Sequence, residues 1–191
     1  MKADYELKKT IRANAAAYGS RELTDILIRC FNRICTIEEP NGCLSNSIAL
    51  LVALRHLGFM PQLCYGLCVT PGGYELYHAW IELDGKVLDL AIFGNSHFSP
   101  LWLDEGLAPV VFEDYEKTAV KYGKFVFDED WQSSSIYSAL NYGTLANYIN
   151  KAPNDGMWRL IFSLLDMVQT KERKAMLEAY VDGEGFPSEG M

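Results

Sequence analysis

The chain has no stretch of eighteen apolar residues free of charge, so a membrane-spanning helix is not expected. It has no local run of basic residues. Its 25 Asp and Glu outnumber 17 Lys and Arg for a formal charge of −8, which makes nucleic acid an unsuitable partner. The first residues, Met1 to Thr10, lack the apolar segment and small-residue cleavage site of a secretory signal, and the expected location is the cytoplasm without a membrane anchor. A glycine-rich phosphate loop is missing, as is any His, Cys or carboxylate cluster with chelating spacing, so no organic cofactor and no metal are expected.

Cysteines are few and odd in number. Five of them, without an export signal, read as reduced thiols rather than a disulfide framework. Cys30 and Cys35 fall on diverging faces of one helix, and Cys64 and Cys68 on one face of a strand; all four read as small buried hydrophobes. What is plentiful is apolar side chain: 49% of the 191 residues are hydrophobic, enough to build the core of a single domain over 1–191.

The polar and apolar pattern from Ala3 to Thr36 predicts two helices with a break at Gly19-Ser20. Cys43 to Leu57 is almost wholly apolar, interrupted only by Ser45, Asn46, Ser47, Arg55 and His56, which predicts a helix buried on all sides. Gly58 stops it, and Met60 to Val69 alternates like a strand. Glu75 to Leu83 and Lys86 to Phe93 are strand-like runs around Asp84-Gly85, a strong two-residue hairpin signal. Pro109 to Phe112 and Lys124 to Phe127 are candidates for short strands. The rest, from Ser135 to about Val181, reads as two or three helices, and the last ten residues as a loose tail. The expected class is α+β, with a core at about 37–130 and a helical extension at about 131–181.

A thiol at a helix N-terminus faces unpaired amides and the positive end of the helix dipole, which stabilise a thiolate, and the same amides can receive a developing oxyanion. Cys43 has that position. Of the three histidines, His56 lies thirteen residues down the same helix, about 140° from alignment and about 20 Å away, out of reach of the thiol. His97 lies in what reads as the loop Gly94-Asn95-Ser96. His78 remains as the base. With Asp84 and Gly85 as the turn, Leu83 pairs with Lys86, Glu82 with Val87, Ile81 with Leu88, Trp80 with Asp89, Ala79 with Leu90 and His78 with Ala91. His78, Trp80 and Asp89 then share a face, with Asp89 a diagonal neighbour able to orient the imidazole. Asp89 also interrupts the run Val87 to Ile92, where an unpaired charge would be expensive. Trp80 reads as a core residue.

The segments Asn41-Gly42-Cys43-Leu44, Ala49 to Gly58 and Tyr77-His78-Ala79-Trp80-Ile81-Glu82-Leu83-Asp84-Gly85-Lys86-Val87-Leu88-Asp89 resemble the transglutaminase-like cysteine peptidase superfamily. Within it they are most similar to the lasso-peptide leader peptidases, the B-protein family of microcin J25 maturation. That resemblance implies a papain-like α+β core, with the cysteine helix packed on an antiparallel sheet; the N- and C-terminal helices expected to flank it come from the polar and apolar pattern instead. The resemblance carries the nucleophile, base and orienting acid over to Cys43, His78 and Asp89. Three features depart from the pattern: Ser45-Asn46-Ser47 follows Cys43-Leu44 where an Arg-Ser pair is common, the strand before His78 lacks the usual Arg-x-x-Pro-Phe character, and the papain-type glutamine position holds Ile37. Asn41 could supply an amide donor to the oxyanion in place of that glutamine, although a turn or cap role is its simpler reading.

The expected activity is hydrolysis of a peptide or amide bond through an acyl-thioester, as in a leader peptidase acting on a ribosomal peptide. An acyltransferase, in which an amine takes the acyl group before water does, and a catalytically silent peptide-binding module are the alternatives. The expected partner is a peptide or amide substrate that another protein could deliver. The oligomeric state stays open.

Overall fold

The computed structural model describes residues 2–36, 42–98 and 107–187. Two helices open it, α1 (Lys2–Ala16) and α2 (Arg21–Thr36), separated at Gly19-Ser20. The Ser20 hydroxyl accepts the Leu23 amide and starts α2, whose buried residues Leu23, Ile26, Leu27, Cys30, Phe31 and Ile34 form one stripe at helical spacing. The apolar run becomes α3 (Cys43–His56). Nearly every residue from Cys43 to Leu54 is buried, as a helix apolar all round requires. Gly58, at φ +85°, lets the chain turn back, with the Phe59 amide bonded to Leu54 O.

Three strands follow: β1 (Gln62–Val69), β2 (Glu75–Leu83) and β3 (Lys86–Asp89). Asp84 and Gly85 both take positive φ, the backbone of a two-residue turn whose twist matches the strands, and Leu83–Lys86, Glu82–Val87 and Ile81–Leu88 pair as the turn dictates. There the ladder ends. The expected strand to Phe93 and the pairings of Trp80, Ala79 and His78 with Asp89, Leu90 and Ala91 are replaced by a helix, α4 (Ala91–Phe98). The cause is Asp89 itself, whose Oδ1 accepts the Ile92 amide at 3.0 Å in the manner of a helix N-cap. His97 therefore lies on a helical backbone and not in a loop.

β4 (Val110–Asp114) and β5 (Lys121–Tyr122) complete a five-stranded antiparallel half-barrel in the order β4-β3-β2-β1-β5. Lys124 to Phe127 is no strand, because Phe125 turns at φ +55°. That segment still covers the edge of β1, with Phe125 N bonded to Tyr65 O and Leu67 N to Val126 O. Gly66 makes the approach possible: a Cβ there would lie 2.0 Å from Gly123 O.

Among the described residues the C-terminal part holds four short α-helices rather than two or three: α5 (Ser135–Leu140), α6 (Leu145–Lys151), α7 (Gly156–Leu165) and α8 (Lys171–Glu178). Ser134, Thr144 and Thr170 each accept an amide from the first turn of α5, α6 and α8 and so divide the sequence. α7 packs Met157, Trp158, Leu160, Ile161 and Leu164 into the core beside α3. The expected loose tail is tied down as far as Pro187. Glu184 pairs with Arg55 of α3, Glu184 O accepts the Leu145 amide, and Pro187 O accepts the Tyr65 hydroxyl. Among the described residues no helix is long and apolar enough to cross a membrane.

Candidate active site

Cys43 is the first residue of α3 and its thiol side is nearly buried. Gly42, the residue before it, offers no side-chain cap, and the first intrahelical bond runs from Asn46 N to Gly42 O. The amides of Cys43, Leu44 and Ser45 consequently have no acceptor within the helix. Two of the polar residues in this turn fix its place. Ser47 Oγ donates to Ala79 O at 3.0 Å, tying α3 to β2 at the residue after His78. Asn46 Nδ2 donates to Gly42 O at 2.8 Å and holds the turn that precedes Cys43.

β2 delivers His78 and β3 delivers Asp89, both with fully buried side chains. His78 Nε2 lies 2.8 Å from Asp89 Oδ2. With Nε2 engaged, Nδ1 is the ring nitrogen left for Cys43, which lies near enough to act on the ring through charge and hydrogen bonding. Burial, the largest single influence, pulls the His78 pKa down. Asp89 and Cys43 together, each through charge and hydrogen bond, outweigh it and raise the value from 6.5 to about 10. The ring is therefore held as an imidazolium at neutral pH, between two groups that favour its charge.

Asp89 is fixed from three directions. Its Oδ1 takes the Ile92 amide, and its Oδ2 takes both His78 Nε2 and the Tyr122 hydroxyl, the latter at 2.8 Å. Tyr122 was not legible as a site residue, because it lies 33 positions along the chain from Asp89 in a segment with no motif. Ser47 and Asn46 carried a faint signal as polar residues in the first turn of an otherwise apolar helix. Trp80 is fully buried, its Nε1 donating to the Tyr115 hydroxyl at 3.1 Å.

The structure thus brings Cys43, His78 and Asp89 together. It keeps His56 away, at the far end of α3 with its ring edge-on to Tyr180. Asn41, the oxyanion candidate, lies outside the described residues. Burial pushes the thiols of Cys30 and Cys64 up to about 12 and that of Cys68 well above its usual value, so these three stay protonated. Cys35 is half-buried rather than buried. Among the described residues no group of three or more His, Cys, Asp or Glu is placed to hold a metal.

A family model for the transglutaminase-like superfamily matches residues 5–103, a span that includes Cys43, His78 and Asp89 and stops short of Tyr122. No curated protein and no solved structure matches the chain.

Proposed function

The chain belongs to the transglutaminase-like superfamily, and from that premise we propose that it is a cysteine-dependent hydrolase that cleaves a peptide or amide bond through an acyl-thioester. The observation that carries this reading is the His78 ring, buried between Asp89 at 2.8 Å and the Cys43 side chain. A hydrogen-bonded row of thiol, imidazole and carboxylate is what the chemistry requires, and a binding module gives no reason for it.

In this mechanism the Cys43 thiolate attacks the substrate carbonyl carbon, and the electron pair of the C=O bond moves to oxygen. The unpaired amides at the start of α3 receive that charge. As the tetrahedral adduct collapses, the His78 imidazolium gives its proton to the leaving amine and the acyl group stays on Cys43 Sγ. Water then attacks the thioester while neutral His78 takes its proton; the acid leaves and the thiolate–imidazolium pair returns. Asp89 accepts from Nε2–H throughout, so that Nδ1 keeps facing the sulfur.

The finer reading is a leader peptidase for a ribosomal peptide, supported by Cys43-Leu44, His78-Ala79-Trp80-Ile81-Glu82 and Asp84-Gly85 with Asp89. Incubation with p-nitrophenyl acetate tests the general reading. We expect a burst of p-nitrophenolate and one acetyl group on the Cys43 peptide, both absent from Cys43→Ala. A burst that survives Cys43→Ala would overturn it. Adding a primary amine distinguishes hydrolysis from transfer: acetylated amine as the main product would favour an acyltransferase.

A further inference from the structure

We propose that Tyr122 is a positioning residue of this site, its hydroxyl locking Asp89 Oδ2 where that oxygen takes the His78 Nε2 proton. The proposal rests on the reading of Cys43, His78 and Asp89 as the reactive set.

β5 is only two residues long, pairing Tyr122 with Cys68 and Lys121 with Val69. The register places Tyr122 on the face that also carries His78: Cys68 pairs with Tyr122 on one side and Leu76 on the other, and Gly66, two residues earlier on β1, pairs with His78. In a flat sheet β5 and β3 would be three strand spacings apart, roughly 14 Å, too far for a tyrosine and an aspartate to meet. In this curled sheet they meet across the concave face, at 2.8 Å.

The phenol is held on its other sides as well. The Trp80 ring lies against it at 4.9 Å between centroids, and the Tyr115 ring meets it edge-on at 6.3 Å. The order of hydrogen bonds gives the hydroxyl a single direction. Asp89 Oδ2 can only accept, so Tyr122 donates. Burial raises the phenol well above its usual value, and it remains a donor at every pH at which the site works. Without that donor, Asp89 keeps the Ile92 amide on Oδ1 and His78 on Oδ2, and Oδ2 loses one of the two bonds that hold it against the ring nitrogen.

The test compares wild type, Tyr122→Phe, Asp89→Asn and the double variant in p-nitrophenyl acetate acylation. Tyr122→Phe should lower the acylation kcat by about ten- to a hundredfold, the range expected for one hydrogen bond to a charged group, while KM for the ester stays unchanged. In the Asp89→Asn background the same substitution should have no further effect, since Tyr122 acts through the carboxylate. A Tyr122→Phe enzyme with wild-type kcat, or one equally impaired in both backgrounds, would overturn the proposal. A second measurement needs no variant. The Tyr122 hydroxyl proton of the wild-type chain should exchange slowly enough with water to give its own NMR resonance, and fast exchange would equally overturn the bond to Asp89. If wild type forms no acetyl-Cys43, the functional reading and this role fall together; if it does and Tyr122→Phe matches it, only the role of Tyr122 falls.

Discussion

Asp89→Asn separates the two duties of one carboxylate. Asp89 accepts the Ile92 amide on Oδ1 and both His78 and Tyr122 on Oδ2. An asparagine has one oxygen and one NH2 for these places. If its NH2 faces Ile92, two donors meet in a buried site, which costs about 1–3 kcal/mol. If its oxygen faces Ile92, the NH2 can donate to Tyr122 and to His78 Nε2, and the Tyr122 hydroxyl proton is the one group that loses its acceptor. The second arrangement avoids opposing an NH2 to the Ile92 amide and is the one we expect. It forces the neutral His78 tautomer with its proton on Nδ1, the nitrogen that should face Cys43 unprotonated. An inverted tautomer of this kind costs a nucleophile–base–orienter set on the order of 10⁴ in turnover, equivalent to about 5.5 kcal/mol of barrier. Stability should move far less, because most of the hydrogen bonding is kept and burial favours the neutral ring. The assay is single-turnover acylation by p-nitrophenyl acetate beside a thermal melt. Acylation within about threefold of wild type would refute the tautomer argument; a collapse of the melting temperature with activity lost in proportion would show that Asp89 matters mainly as the cap of α4.

Three further outcomes follow from the same geometry. With His78 raised to about 10 above its unfolded 6.5, protonated His78 stabilises the fold fully below pH 6.5, and that contribution is lost as pH rises through about 10; calorimetric melts should fall across this interval and flatten in Asp89→Asn. Gly66→Ala should destabilise strongly, by about 3 kcal/mol or more, because its Cβ would lie 2.0 Å from the Gly123 carbonyl, and denaturant titration would measure the loss. His56→Ala should leave p-nitrophenyl acetate acylation unchanged, whereas a loss equal to that of His78→Ala in a folded protein would contradict the separation of His56 from the site.

The parts of this fold that were legible in the sequence are those dictated locally. Asp84-Gly85 admits a positive-φ turn, and its register follows without further information. The apolar run after Cys43 has no polar face to turn to water, so α3 had to be internal. Where the sequence misled, two structures met the same pattern. Val87 to Phe93 is apolar enough for a strand or a buried helix, and the choice fell to a tertiary fact, the Asp89 carboxylate capping α4. The Ser134, Thr144 and Thr170 caps start separate helices within a stretch whose apolar spacing alone reads as two or three. Tyr122 and the close approach at Gly66 depend on the curl of the sheet, and the tail on an ion pair between Glu184 and Arg55; none of these has a local signature.

The site's central requirement is that one thiol of five be reactive at neutral pH. Brief exposure to iodoacetamide at pH 7, followed by peptide mapping, compares them directly. Cys43, beside a protonated His78, should be alkylated first, while Cys30, Cys64 and Cys68, whose thiols burial keeps protonated, should remain intact in the folded chain. Alkylation of Cys43 no faster than that of Cys30, Cys64 and Cys68 would contradict a thiolate–imidazolium pair, and with it the reading of this chain as a cysteine-dependent enzyme.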